Sequence, residues 1–467
     1  MSGPVRTRFA PSPTGYLHIG GVRTALYSWL FARHHGGQFL LRIEDTDRER
    51  SIQTAVDAIL NGMAWVELAP DQPAIYQTQR FARYSEVCDR LLAEGQAYHC
   101  YCTREELDAM RERAVAAGGK PRYDGSCRDG SRKRDGVAPA VRFKNPVAGD
   151  VVVDDLVKGR IVFDNAELDD LIIRRSDGTP TYNFAVVVDD SDMMITHVIR
   201  GDDHVNNTPR QINLFRALGA TAPKYGHLPM IHGPDGAKLS KRHGAVNMLE
   251  YRDMGFLPEA LLNYLLRLGW SHGDQEIFTV AQMIELFDLD SVSRSAANFD
   301  PVKLLWVNQQ HMMRAAPARL GTLLRIELEK LGLNVDAGPS PELVAAALRE
   351  RSQTLVEMAQ RARYYYEDFA HYDADAARTH LTAAAQPVLA ALGAALRGIV
   401  DWSEHSTEAA VKDAAQQLGV KLGKVAQPLR VALVGQAASP GIGVTLALVG
   451  RERALARIER AARAARG

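Results

Sequence analysis

The stretch from Val5 to Ile43 constrains the fold more than any other part of the chain. Val5 to Ala10 has strand composition, and Pro11-Ser12-Pro13-Thr14-Gly15 behind it is turn chemistry. From Gly20 to Arg33 the periodicity is helical, with Val22, Ala25, Leu26, Trp29 and Leu30 on one face. His34-His35-Gly36-Gly37 ends that helix, and Gln38 to Ile43 reads as a second strand. Two strands joined through a helix pair in parallel, because the helix carries the chain back to the end it started from. A right-handed crossover then brings both strand ends to one edge of the sheet, the edge where such folds bind ligands. The expected class is α/β with a parallel sheet.

Downstream the pattern is interrupted. Thr103-x-x-Glu106 is a capping box for a charged helix through Ala117. Gly118 to Gly136 reads as loop, and Val147 to Phe163 and Leu171 to Val188 carry β-branched runs broken by acidic turns. This part is read as an α+β insertion. The α/β pattern resumes with a strand at Ile195 to Ile199, a helix capped by Thr208-Pro209-x-Gln211 and running through Leu218, and a strand at Leu228 to His232. The remainder reads as helical. Ser340-Pro341-Glu342 opens one long helix whose face holds Leu343, Ala347, Leu355, Ala359, Ala362 and Tyr366. The expected segments are 1–103, 104–194, 195–245, 246–314 and 315–467.

Composition excludes several classes. At 467 residues and 46% hydrophobic, the chain is long enough for about three domains and is not a disordered polymer. Lys+Arg and Asp+Glu both number 56, so net charge announces no nucleic-acid partner, yet the last 47 residues hold 9 Lys+Arg against 2 Asp+Glu. Four cysteines make no disulfide scaffold and fit a reducing compartment. No apolar run reaches the roughly 20 residues that span a bilayer, and Met1-Ser2-Gly3-Pro4-Val5-Arg6 lacks the apolar stretch of a signal peptide. A cytoplasmic protein without a membrane partner is expected.

Two segments carry the chemistry. In the first, a Pro/Gly turn leads through Tyr16-Leu17 to His18-Ile19-Gly20-Gly21 at the start of a helix. Glycines allow a ligand close to the backbone, the amides of a first helical turn attract anions, and histidine can donate to a phosphate oxygen. The plain alternative is a strand-to-helix turn with a satisfied His18. The second is Gly233-Pro234-Asp235-Gly236-Ala237-Lys238-Leu239-Ser240-Lys241-Arg242-His243-Gly244, three cations and a hydroxyl between glycines. Such a loop can close over a polyphosphate, with Leu239 as its anchor; the plain alternative is a basic surface loop.

Together the two segments resemble the paired signatures of class I aminoacyl-tRNA synthetases. Arg8-Phe9-Ala10-Pro11-Ser12-Pro13-Thr14-Gly15, Arg42-Ile43-Glu44-Asp45-Thr46-Asp47, Pro180-Thr181-Tyr182-Asn183-Phe184 and Val198-Ile199-Arg200-Gly201-Asp202-Asp203-His204 resemble the bacterial glutamyl-tRNA synthetases, and the likeness runs to Gln427-Pro428-Leu429-Arg430 late in the chain. The resemblance implies a Rossmann-like parallel-sheet catalytic domain split by an α+β acceptor-binding insertion and followed by an all-α, anticodon-binding C-terminal region. It implies L-glutamate, ATP with Mg²⁺ and tRNA-Glu as partners, in a monomer.

By motif match, His18, Lys238 and Lys241 would be catalytic. Gly20, Gly21, Asp203, His204, Leu239, Ser240 and Lys241 would bind ATP. Arg8, Ala10, Ser12, Glu44, Tyr182 and Arg200 would bind glutamate. Physically, glutamate needs a guanidinium for its side-chain carboxylate and an acid for its ammonium, and a neutral amide would leave the guanidinium unsatisfied. The plain alternative for Arg8 is a strand-end ion pair with Glu44. Arg349, Arg351 and Arg430 are candidate tRNA contacts, and the basic C-terminus fits phosphates. Charging of tRNA-Gln as well, or a glutaminyl-tRNA synthetase, are the alternatives. A third cluster, Cys100, Cys102 and Cys127 with Tyr123 or Asp129, could hold Zn²⁺ tetrahedrally; some members of the family bind zinc here, with histidine where this chain has Asp129. Three reduced structural cysteines are the other reading. Cys88 is expected in the core.

Overall fold

In the computed structural model the strand–helix–strand run forms where the periodicity places it: β1 (Arg6–Phe9), α1 (Ile19–His34) and β2 (Gln38–Ile43). The structure describes residues 3–15, 17–47, 51–119, 121–130, 132–237, 239 and 247–465. β1 and β2 are parallel, with Arg8 level with Leu40. α1 buries Ile19, Val22, Ala25, Leu26 and Leu30 almost completely, each large aliphatic contributing about 1.5–3 kcal/mol. The chain continues through α2 (Gln53–Trp65), β3 (Ile75–Tyr76), parallel to β2, and α3 (Phe81–Ala93).

The insertion is α+β. β4 (Ala97–Cys100), β5 (Ala140–Phe143) and β8 (Ile172–Arg174) form an antiparallel sheet, with α4 (Arg104–Ala116) after β4. Both halves of the Thr103/Glu106 capping box are made. β6 (Asp150–Asp155) and β7 (Gly159–Asp164) form a hairpin. The β reading of Leu171 to Val188 holds at β8, but α5 (Tyr182–Asp192) corrects it from Tyr182 on. Phe184, Ala185, Val187 and Val188 are buried in one cluster with α3, β4 and β5, so burial on all sides overrides the β propensity of valine.

The parallel sheet resumes with β9 (His197–Gly201), α6 (Thr208–Ala217) and β10 (Lys224–Leu228), β9 and β10 pairing in parallel. The expected strand at Leu228 to His232 is divided at Pro229, which has no amide to give a ladder; Ile231–His232 pairs instead with Ala297–Asn298. Thr208 lies inside α6 rather than capping it, because its hydroxyl is used elsewhere. Among the described residues no single helix is long and apolar enough to cross a membrane.

The chain divides into two compact units, residues 1–252 with 258–301, and residues 253–257 with 302–467. The second is helical throughout its described elements. The long helix expected from Ser340 to Tyr366 is two, Pro341–Leu348 and Leu355–Tyr366. The second has its own cap, the Thr354 hydroxyl accepting from the Glu357 amide at 3.1 Å.

Candidate active site

Three strand ends converge on one edge of the first unit. The Glu44 amide donates to the Pro11 carbonyl at 2.9 Å, and the Thr196 amide to the Arg6 carbonyl at 2.9 Å, so β2 and β9 flank β1. Each strand brings a buried arginine: Arg8 from β1, Arg42 from β2 and Arg200 from β9. A buried guanidinium requires partners. α5 supplies two carboxylates. Asp190 accepts from Arg8 Nε at 3.2 Å and from Arg42 Nη1 at 2.6 Å. Asp189 accepts from Arg80 Nε at 2.6 Å and from the Tyr84 hydroxyl at 2.9 Å. Glu44 accepts from Arg42 Nη2 at 3.2 Å. Arg8 therefore pairs with Asp190, not with Glu44.

Arg200 differs from the other two. Its Nε donates to His227 Nε2 at 3.1 Å and its Nη2 to the Thr208 hydroxyl at 2.9 Å, both neutral acceptors. Its Nη1 is buried with no hydrogen-bond partner. Burial pulls its pKa below the ordinary arginine value, against smaller opposing contributions from the Tyr182 and Tyr225 phenols and Asp190. The site thus holds a desolvated cation with one donor unspent. Around it, Tyr182 bonds His204 Nδ1 at 3.2 Å. Burial, then the charge of Glu44, push the Tyr182 phenol up to about 12, against the pull of Arg200 and Arg8. Burial also raises the Glu44 carboxyl above its ordinary range despite Arg42 and Arg8. Arg8, Glu44, Tyr182, Arg200 and His204 therefore share one electrostatic neighbourhood. Ala10 is half-buried just past β1, Ser12 is exposed in the turn, and Asp203 is exposed beyond β9.

His18 is the N-cap of α1. Its Nδ1 accepts from the Gly21 amide at 3.2 Å, so the hydrogen of a neutral ring sits on Nε2, on the side away from the helix. Both following glycines serve that arrangement. A Cβ on Gly20 would sit 3.1 Å from His18 Nδ1, and one on Gly21 would sit 2.9 Å from Leu17 Cδ1.

Lys238, Ser240 and Lys241 lie outside the described residues. The chain on either side of them is fastened beside α1. Arg23 of α1 donates to the Pro229 carbonyl. The Leu239 amide donates to the Ile231 carbonyl at 3.1 Å, and the Met248 amide to the Leu17 carbonyl, also at 3.1 Å. The cationic segment thus leaves and re-enters the described chain next to the residues that lead into His18.

The thiols of Cys100, Cys102 and Cys127 lie within 4.8 Å of one another. Cys102 and Cys127 are 3.5 Å apart, close to the roughly 3.8 Å between sulfurs of a tetrahedral zinc–thiolate site. Tyr123 closes the group, its hydroxyl 3.7 Å from Cys100 Sγ. Asp129 is exposed and not part of it. Burial pushes the Cys100 thiol up, but Arg142 and the Cys102 amide outweigh it and leave the pKa below the ordinary value. Cys88 is fully buried elsewhere.

In the second unit a cavity of about 760 Å³ is lined by Arg351, Arg361, Tyr364, Gln436 and Ser439, among others. Arg430 Nε donates to Ser439 Oγ at 2.9 Å. Arg349 is half-buried and not in the lining. Much of the basic C-terminus turns inward rather than out to phosphates. Arg457 donates to the carbonyls of Leu433 and Glu367 at 2.6 and 2.9 Å, Arg460 to Phe369 at 2.8 Å, and Arg453 to Tyr365. Asp189, Asp190, Asp155, His227 and Thr208 escaped sequence reasoning. Two acids closing the apolar run Phe184 to Val188 were the available signal, because acids so placed need buried cations.

Comparison with known proteins identifies the family. Residues 4–306 match the family described as class I tRNA synthetases (E and Q), catalytic domain, and residues 310–462 match the anticodon binding domain family. The chain is 57% identical over 458 residues to glutamate–tRNA ligase 1 of Alkalilimnicola ehrlichii, covering 98% of this chain and 97% of that one. It is 56% identical over 457 residues to glutamate–tRNA ligase 1 of Nitrosococcus oceani, at 98% and 97% coverage. Its fold is similar to a glutamate tRNA ligase from Elizabethkingia meningosepticum in complex with its amino acid, with a TM-score of 0.88, 30% identity and 99% of both chains covered. A glutamate-tRNA synthetase from Elizabethkingia anophelis gives 0.85 at 30% identity, covering 99% of this chain and 100% of that one.

Proposed function

The chain belongs to the glutamate and glutamine group of class I tRNA synthetases, and from that membership we propose how its residues divide the work of a glutamate–tRNA ligase. The reaction is ATP-dependent. The α-carboxylate of glutamate attacks the α-phosphorus of ATP, releasing pyrophosphate, and the terminal ribose hydroxyl of tRNA then takes the glutamyl group from the adenylate.

Substrate choice rests on Arg200, and its unspent Nη1 carries the reading. A carboxylate oxygen at Nη1 pairs a desolvated cation with an anion; the amide of glutamine offers only a dipole. Arg8, held by Asp190, adds a second positive edge. Glu44 receives the ammonium, and Tyr182, Ser12 and the backbone at Ala10 complete the pocket. His18 Nε2–H, Lys238 and Lys241 steady the phosphates as charge builds in the displacement, with Leu239 and Ser240 in the same segment. Gly20 and Gly21 leave room for the nucleotide, and Asp203 and His204 border it. Mg²⁺ accompanies the ATP. None of these side chains needs to become a covalent intermediate.

Cys100, Cys102, Cys127 and the Tyr123 phenol fit Zn²⁺ better than a set including Asp129. Zinc there would stabilise the insertion and take no part in the displacement. The division into 1–103, 104–194, 195–245, 246–314 and 315–467 is kept as a functional map: two catalytic halves, an acceptor-binding insertion, a stem contact and an anticodon-binding part. In the last, Arg351 lines a cavity able to take an unstacked base beside Tyr364, and Arg430 holds Ser439 of its wall; Arg349 stays a backbone candidate. A cytoplasmic monomer charging tRNA-Glu is the reading adopted. Aminoacylation of purified tRNA-Glu by the wild-type chain and by Arg200→Met tests it. Glutamate KM should rise by about 100-fold in the variant, the loss of a charge-assisted contact of ~3 kcal/mol, with KM for ATP little changed. An unchanged glutamate KM would contradict the assignment.

A further inference from the structure

Arg200 is held by a chain of two further residues from outside its own strand. His227 lies on β10, and Asp155 lies where β6 of the inserted hairpin turns; both side chains are fully buried. His227 Nδ1 is 2.5 Å from Asp155 Oδ2, and Nε2 is 3.1 Å from Arg200 Nε. An arginine Nε can only donate. His227 Nε2 must therefore accept, and the ring hydrogen sits on Nδ1 and donates to Asp155. The imidazole is neutral in this arrangement. Burial holds its pKa below the ordinary histidine value, outweighing the hydrogen bond to Asp155, and the charge of Arg200 acts in the same direction as burial.

Asp155 is itself anchored. Its Oδ1 accepts from the amides of Val157, Lys158 and His227 at 3.0, 2.8 and 3.2 Å. Thr208 Oγ1 closes the other side, 2.9 Å from Arg200 Nη2 and 3.1 Å from His227 Nε2. With Nε and Nη2 both fixed, a planar guanidinium has no freedom left, and the direction of Nη1 is set before a ligand arrives. Lys158, in the hairpin turn, bonds Asp202 just past β9 at 2.8 Å, a second tether between the hairpin and this edge.

We propose that Asp155 and His227 are a positioning pair that aims Arg200 Nη1 at the substrate carboxylate, so that the inserted hairpin completes the glutamate pocket from outside the parallel sheet. The proposal rests on the reading of Arg200 as the carboxylate ligand.

The test is tRNA-dependent ATP–pyrophosphate exchange, with KM measured for glutamate and for ATP. His227→Met, which removes the acceptor, should raise glutamate KM about tenfold or more while ATP KM stays within about twofold, because only orientation at one subsite is lost. His227→Gln can return an amide oxygen near the vacated Nε2 and should recover most of the loss. In an Arg200→Met background, His227→Met should add less than about twofold, since its effect passes through Arg200. If His227→Met does not fold, Asp155→Asn reads the same split between the two KM values. The same fold-loss in both backgrounds, an equal rise in both KM values, or an unchanged glutamate KM in a folded His227→Met protein would overturn the pair. An Arg200→Met protein with normal glutamate KM would instead bring down the reading beneath it, and the pair's role with it.

Discussion

Arg200 spends its Nε and Nη2 hydrogens on neutral acceptors and its buried Nη1 has no hydrogen-bond partner, whereas Arg8 and Arg42 are paired with carboxylates, Asp190 and Glu44. That contrast makes single substitutions here read differently from one another. Gly20→Ala places a methyl group 3.1 Å from His18 Nδ1. The cap must tilt, and the expected result is a drop of about 100-fold in kcat for pyrophosphate exchange with glutamate KM held. Steady-state kinetics check it; a rise in glutamate KM alone would mean that Gly20 serves the amino-acid subsite. Glu44 gives a pH signature. Its carboxyl is raised by burial, so in the free enzyme it takes up a proton at a pH where ordinary carboxylates are still charged, and the ammonium then loses its partner. The kcat/KM for glutamate should fall on the acid side with an apparent pKa above the ordinary value, and that limb should be missing in Glu44→Gln. An inflection at the ordinary carboxylate value in both proteins would contradict it. At this scale the sequence offered candidates for the substrate contacts but not how those residues are held. Arg8, Glu44, Tyr182 and Arg200 could be named from local motifs. Their partners Asp190, His227 and Asp155 come from distant segments, and no local pattern carries that information.

Among the elements, periodicity located α1 and β2 to within a residue or two, because apolar residues recur at helical spacing in one and the Gly36-Gly37 turn opens the other. It failed where an apolar run was dominated by valine, which favours strands. α5 is apolar on every side at Phe184 to Val188, so its valines resembled a strand. After Ser340 the apolar spacing runs on through Arg349 to Thr354, which hid the break, and the first helix buries Val344 and Leu348 while the expected Leu343 is exposed. The basic C-terminal helix, Arg451–Ala464, looked like a phosphate-facing surface, but its arginines at 453, 457 and 460 reach the carbonyls between residues 365 and 369 and at residue 433. They hold the segment that walls the cavity beside Tyr364. Arg457→Met would take the donor from the Leu433 and Glu367 carbonyls and the ion pair from Asp368, and should destabilise the second unit by about 3 kcal/mol. Denaturant unfolding reads this as a lowered midpoint; an unchanged midpoint would mean that Arg457 is not a structural pin. In the insertion, Cys127→Ser should lower bound zinc from about one equivalent and reduce thermal stability together. Metal analysis of purified protein checks the first half, and full zinc occupancy in the variant would leave Cys127 outside the ligand set.

Across the whole molecule, the two motif segments lie far apart in sequence, and backbone bonds bring the described chain on either side of the cationic segment beside α1. The Arg23 bond to the Pro229 carbonyl and the Met248 bond to Leu17 fix both flanks of the cationic segment beside the helix that His18 caps. The order of motifs along an interrupted α/β pattern was legible in the sequence; the fastening was not, since it depends on backbone carbonyls that any residue supplies. Acting on phosphates rather than on tRNA, Lys241→Ala should cut adenylate formation far more than tRNA affinity, and a proportional loss of both would contradict its role. The most direct measurement is tRNA-dependent ATP–pyrophosphate exchange with glutamate and glutamine compared side by side. A buried arginine donor waiting for a carboxylate predicts a kcat/KM at least about 100-fold higher for glutamate. Equal use of the two amino acids, or a preference for glutamine, would contradict it.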